Sequence, residues 1–309
     1  MNHSDEKIDK SMFEFVLQED KNLNEIKRPS ETYWQDVWRR IKLNKVAMVS
    51  FVLIIILIVL AIIGPWLSNF DYRSQDTNAL SLKPGVLHWF GTDDLGRDLY
   101  VRTLYGARIS LLVGIVSAFI NLVIGVIYGG ISGYYGGRID NIMMRIVDVL
   151  YAIPVVLYVI LLMVVMGNGL KNIFIALGIS YWVGMARMVR GQVLQLKEQE
   201  YVLAAKAIGE SDFMIIMKHL IPNAMGQIIV LLTMSIPSAI FTEAFLSFIG
   251  LGVSAPMASL GVLCNDAVVS FRTYPYQLVF PAVTICLIML AFNLFGDGLR
   301  DALDPKMRK

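Results

Sequence analysis

Six apolar stretches, set between charged ones, give the chain its pattern. Val46 to Leu67 carries no charged residue, and about 20 such residues suffice to cross a bilayer as a helix. Ile109 to Tyr135 is also uncharged and is rich in glycine. Val149 to Leu170 lies between Asp148 and Lys171. Asn172 to Ala186 is shorter and ends at Arg187; taken alone it suits a buried helix or a re-entrant piece as well as a span. Ala224 to Phe248 holds one acid, Glu243, and a mid-segment Pro237, and Tyr276 to Phe295 closes the set before Asp297. The pattern predicts an all-α integral membrane fold with six transmembrane helices.

Basic residues in the short connections orient such a chain. Arg39, Arg40, Lys42 and Lys45 precede the first span, and Arg138 and Arg145 follow the second. Arg187, Arg190, Lys197, Lys206 and Lys218 lie between the fourth and fifth, and Arg300, Lys306, Arg308 and Lys309 follow the sixth. These four regions belong on one side, which the rule assigns to the cytoplasm with both termini. The organisation expected is a cytoplasmic segment over 1–45, a first span over 46–67 and an external loop over 68–108. A core with spans two to six follows over 109–297, then a cytoplasmic tail over 298–309. Residues 1 to about 30 read as a mobile charged leader. The first 45 residues form a polar and charged segment, so the first apolar run comes too late for a cleaved signal peptide.

The largest inner connection, 187–223, reads as two short helices around a corner. Tyr201, Ala204, Ala205 and Ile208 fall on one face of the first at helical spacing. Gly209 suits the left-handed turn that ends it. Ser211 can cap the second helix, where Phe213, Ile216, Met217 and Leu220 repeat the spacing, and Pro222 is expected to stop it. The small Ala204 and Ala205 leave room for another surface to approach, so the hairpin suits a docking knob. An amphipathic pair lying on lipid has the same spacing.

Composition narrows the function classes. Charged residues are 17% of the chain, below the quarter or so of a soluble domain, and 27 basic against 25 acidic residues leave a net charge of +2. No nucleic-acid partner follows from that balance. Cys264 and Cys286 sit in unlike settings and form neither a metal site nor a disulfide framework. His3, His88 and His219 are scattered, so no metal is expected. Asp93, Asp94, Arg97 and Asp98 read as a salt-bridged turn in the external loop, and Asp148 is placed to pair with Arg145. Gly125, Gly129 and Gly133 form a ridge of small residues for close helix packing. Glu243 is either a pathway or partner-facing group or a carboxylate satisfied locally, since a charge at membrane depth costs about 2.5–3.5 kcal/mol. No phosphate-binding loop of Walker type occurs, so energy has to come from another chain.

Glu200 to Ala224 (EYVLAAKAIGESDFMIIMKHLIPNA) resembles the cytoplasmic loop of binding-protein-dependent ABC importer permeases, with two alanines, a glycine, and a proline thirteen residues after it. His88 to Gly114, Ser132 to Asp148, Glu243 to Val253 and Phe292 to Pro305 resemble the dipeptide and oligopeptide branch, and within it the C-type subunit. The resemblance covers most of the chain after residue 85. Leu203 stands where the family has its glutamate, with Glu200 one turn earlier. His219 and Ile221 replace the usual residues before the proline, and the family's tryptophan near the last external loop is missing from 256–263.

The resemblance implies a type I ABC importer permease in a bacterial cell membrane, one half of a heterodimeric pathway for oligopeptides or dipeptides. Glu200, Ala204, Ala205, Gly209 and Pro222 would couple it to ATPase subunits. It implies a second, B-type permease subunit, two cytoplasmic ATPases that carry the ATP, an extracytoplasmic peptide-binding protein and the lipid bilayer as partners. No catalytic residue or cofactor is expected on this chain. A permease of the same branch for nickel or another small solute is the alternative. An ion-coupled secondary transporter would need intramembrane relays and inverted repeats, and neither is evident. A membrane enzyme would need a cluster of reactive groups at membrane depth.

Overall fold

The computed structural model describes residues 32–304. The expected leader over 1 to 30, and the tail from 305, lie outside them. Helix α1, Tyr33–Leu43, is closed at its start by a capping box between Thr32 and Gln35, and it buries Val37 and Ile41. Asn44 ends it and caps α2, Lys45–Ile63, by accepting from the Val46 and Ala47 N–H groups. A 3-10 turn, Gly64–Leu67, completes the first crossing. The helix α1 falls inside the segment read as merely polar.

Helix α3, Leu99–Tyr135, starts ten residues before the uncharged run because its charges are satisfied from elsewhere. Asp98 caps it. Arg102 lies between Asp93 and Asp266, and Arg108 donates to the Ala61 and Ile62 carbonyls at the end of α2. The third apolar stretch is not one straight span. Helix α4, Gly137–Ala152, and α5, Val155–Met166, meet at an 87° bend. Pro154 forces Ile153 into extended backbone and breaks the helix there.

Helix α6, Leu170–Leu196, runs ten residues past the predicted end. Arg187 pairs with Asp148 at 2.5 Å and Arg190 with Asp140 at 2.5 Å, both on α4, which corrects the expected Arg145–Asp148 pair. Helix α7 is Glu200–Ala207. Helix α8, Asp212–Phe248, carries a π stretch at Ile215–Leu220 and a buried Pro237. Helix α9, Leu260–Val268, stands in the last loop, and α10, Tyr276–Leu303, takes up the first part of the expected tail. Among the described residues five helices are long and apolar enough to cross a membrane, or six where the bent pair counts as one span.

Helices α3 and α6 pack over the largest contact, with α8 against both. The glycine ridge makes this possible. A Cβ at Gly125, Gly129 or Gly133 would stand 2.5 Å from Met185 Cβ, 2.3 Å from the Ala186 carbonyl and 2.8 Å from the Arg190 carbonyl. The ridge therefore serves packing within the chain. Helices α2 and α10 pair at the periphery, each with 22% of its apolar window covered by protein against 56% for α6. One end of the bundle gathers α1, the start of α2, the end of α10 and the α7 hairpin. The loop 68–98 and α9 gather at the other, where Gln277 reaches Asp94 and the Thr92 carbonyl.

Candidate functional site

The connection proper is shorter than predicted, because 187–196 belong to α6 and α8 begins at Asp212. Helix α7 lasts two turns. Gly209 follows it at φ +84°, a conformation that other L-residues adopt at a steric cost, and Ser211 caps α8 by accepting from the Met214 N–H. The chain then enters the π stretch, in which the Ile221 N–H reaches the Ile216 carbonyl five residues back. Pro222 does not stop the helix. The wide turn before it removes the clash that a proline ring makes with the carbonyl four residues earlier, and α8 continues through it.

Two residues of α7, Val202 and Ala205, are buried against Ile215, Ile216 and Leu220 of α8 and Val189 and Val193 of α6. Polar links fix the same hairpin. Tyr134, at the end of α3, donates to Asp212 at 2.6 Å, and Lys206 lies over the Tyr134 ring at 4.9 Å. His219 Nε2 is 2.7 Å from Glu210 Oε2 across the corner. One layer deeper, Asp140 accepts from Ser132 at 2.6 Å and from both ends of the Arg190 fork. Bidentate pairing of this kind fixes orientation as well as distance. The hairpin is thus a part of the bundle and not a tethered loop.

Its outer face is apolar. Tyr201, Leu203, Ile208, Phe213, Met214 and Met217 are exposed, with Ile208 at 83% and Phe213 at 74%. Glu200 is exposed at the first position of α7, where a negative charge suits the helix dipole. Ala204, Gly209 and Pro222 are exposed as well, whereas Ala205 is 4% exposed and faces inward. The predicted single face of Tyr201, Ala204, Ala205 and Ile208 is therefore split, with Ala205 on the inside and the other three outside.

Glu243 lies elsewhere and is fully buried. Its carboxyl accepts from Ser110 at 2.8 Å and from Ser247 at 2.7 Å, and Ser259, the cap of α9, donates to Ser247 at 3.1 Å. Gly106 meets the Ser259–Leu260 backbone and Gly261 meets Ala244, so α3, α8 and α9 close around the acid. The side chain reaches neither a pathway nor a partner surface, which corrects that part of the expectation; local hydrogen bonding accounts for it.

Beyond this junction the turn over Asp93 to Asp98 is salt-bridged as expected, with Arg97 on Asp93 at 2.6 Å, and it extends to Asp266, 3.7 Å from Arg97 and 3.6 Å from Arg102. Burial raises the Asp266 carboxyl above its ordinary value, against the pull of Arg102 and Arg97. Asp98 pairs instead with His88 at 2.8 Å. A cavity of about 630 Å³ opens beside the turn, lined by Arg97, Asn265 and Asp266 with Pro256 and Met257. Sequence spacing carried no signal for Asp266, Ser110 or the Asp140–Arg190 fork, whose partners sit on distant elements, whereas Ser247 stands one turn from Glu243 on the same helix.

The sequence model described as "Binding-protein-dependent transport system inner membrane component" matches residues 121–309, and the one described as "N-terminal TM domain of oligopeptide transport permease C" matches 32–84. The chain is 56% identical to the dipeptide transport system permease protein DppC of Bacillus subtilis over 96% of this chain and 93% of that one. It is 51% identical to the oligopeptide transport system permease protein OppC of the same organism over 98% and 99%. A glutathione transport system permease protein, GsiD of Escherichia coli, is 42% identical over 90% and 92%. Among solved structures, a chain of the inward-facing MetNI methionine ABC transporter matches 66% of this chain and 96% of its own length, with a TM-score of 0.53 and 21% identity. That likeness is one of fold.

Proposed function

Since the chain belongs to the binding-protein-dependent transport system inner membrane components, we propose that it forms half of the pathway of an ATP-driven peptide importer and docks ATPase subunits through the α7 hairpin. It is a multi-pass membrane permease subunit of an ABC transporter, and ATP hydrolysis is the work of a separate chain. Peptides are the cargo that its relatives' names support, dipeptide, oligopeptide and glutathione systems among them. Its companions are a B-type permease subunit, two ATPases on the hairpin side and a peptide-binding protein on the α9 side. Both termini then lie in the cytoplasm, as the basic residues favour.

The observation that carries this reading is an exposed apolar corner on a hairpin anchored by Tyr134–Asp212 and by the buried Val202 and Ala205. Exposed apolar patches of this kind mark surfaces that a partner covers. Helix α8 runs unbroken from that corner to Glu243 and Ser247, roughly 50 Å along at 1.5 Å per residue. A push on the hairpin can then reach the outer junction along one continuous helix. The chain binds no nucleotide in this mechanism; it moves between arrangements that the ATPases bias.

The test is reconstitution of the four-subunit complex with its binding protein in liposomes. Peptide-stimulated ATP hydrolysis and ATP-dependent accumulation of labelled peptide are expected. Accumulation without ATPases, or of nickel in place of peptide, would overturn the proposal.

A further inference from the structure

Helix α1 is wider on its apolar side than the protein that covers it. Val37 and Ile41 are buried against Ala47, Val230, Leu299, Ala302 and Leu303. Beside them on the helix, Trp34 and Trp38 stand four residues apart and remain 52% and 41% exposed. Trp38 meets Phe51 of α2 edge-on at 5.8 Å, and Phe51 meets Phe295 of α10 at 5.3 Å. Phe51 lies six residues into α2, roughly 9 Å below its start, so Trp38 sits at the depth where a span enters the headgroup region. The exposed Ile55 and Ile62, four and eleven residues on from Phe51 and so on its side of the helix, continue the same surface down α2, one of the two spans least covered by the protein.

Charge accompanies the aromatic stripe. Lys42 lies over the Trp38 ring at 5.6 Å, and Lys45 follows at the first residue of α2. Neither has a carboxylate partner among the described residues. Asp36, the sole acid of α1, is taken up by Arg39 at 2.6 Å and Arg40 at 2.9 Å. Aromatic rings with apolar bodies and polar edges favour the membrane interface, and basic residues at that level attract anionic lipid.

We propose that α1 is an interfacial helix that gathers anionic phospholipid headgroups through Trp34, Trp38, Lys42 and Lys45. The lipid surface is the occupant that fits, because the stripe is continuous with the bare face of α2 and its unpaired charges are positive. Each unpaired lysine accounts for about a fivefold local enrichment of anionic over zwitterionic lipid.

The experiment uses the full chain in nanodiscs, with brominated phosphatidylglycerol or brominated phosphatidylcholine as quencher at equal mole fraction. Subtracting the double variant W34F/W38F isolates the two tryptophans from Trp66, Trp89 and Trp182. The expected result is quenching several-fold stronger by the anionic lipid, and equal quenching by both lipids in K42Q/K45Q, which leaves the rings in place. Equal quenching in the unaltered chain would overturn the charge selection. Absence of quenching by either lipid, alone or in the assembled complex, would show the stripe covered by protein and overturn the lipid assignment.

Discussion

Ser110 on α3 donates a 2.8 Å hydrogen bond to Glu243 on α8, 133 residues along the chain, in a place closed to solvent. The bond matters because Glu243 also accepts from Ser247, which in turn accepts from the cap of α9. Replacing the acid by leucine strips two buried hydroxyls, those of Ser110 and Ser247, of their acceptor at once, at about 1–3 kcal/mol for each group left unsatisfied. Glu243→Leu is therefore expected to lower the melting temperature in detergent well below that of Glu243→Gln, which still accepts. Equal melting of the two variants would remove the network from the account.

At Gly209 the backbone, and not space, sets the constraint. The φ is +84° and a Cβ there would meet nothing within 4 Å. Gly209→Val is expected to insert and fold, at a local cost of about 1–3 kcal/mol that shifts the corner. Peptide-stimulated ATP hydrolysis in the reconstituted complex should fall, while Gly209→Asn, which tolerates the left-handed region, keeps most of it. Full activity of the valine variant would mean that the corner carries no coupling.

Much of this fold is readable in the sequence wherever an apolar run is free of charge, as in α2 and α10. It stops being readable where a charge is paid for from another element. Arg102 and Arg108 hide the first ten residues of α3, and Arg187 and Arg190 hide the last ten of α6, because their partners are Asp93, Asp266, two carbonyls of α2, and Asp148 and Asp140 of α4. Apart from Asp93, nine residues before Arg102, no local window contains those partners. Two local features do mark breaks in the sequence: the Thr32–Gln35 box opening α1, and the pre-proline Ile153 that breaks the third stretch. The hairpin was legible as a hairpin, but two turns of helix are too few for spacing to select its buried side.

That selection can be tested with cysteines in a background lacking Cys264 and Cys286. Ala204→Cys and Ile208→Cys should react readily with a water-soluble maleimide, while Ala205→Cys, on the buried side, should react about tenfold more slowly or worse, since it waits for local opening. Bound ATPase should protect positions 204 and 208. Fast labelling at 205 would place the hairpin's inner face wrongly, and lack of protection at 204 and 208 would count against docking there.

A close approach between main chains in the bundle gives the last prediction. A Cβ at Gly129 would lie 2.3 Å from the Ala186 carbonyl and 3.0 Å from the Arg190 N–H nitrogen, so both neighbours are main chain and neither can swing aside. Helices α3 and α6 would have to separate, and with them the Arg190–Asp140 fork that sits at the same level. Overpacking of a close-packed interior costs about 1–3 kcal/mol even where side chains can adjust, so Gly129→Ala is expected at or beyond the top of that range. Gly184, on the same helix pair, has nothing within 4 Å of its Cβ position. Gly184→Ala should leave the isolated subunit as stable or more stable by roughly 0.4–1 kcal/mol, because alanine restricts the unfolded chain. Measuring both variants by thermal unfolding in one detergent separates contact from propensity. A Gly129→Ala protein that melts with Gly184→Ala would show that the α3–α6 contact is looser than its glycine ridge requires.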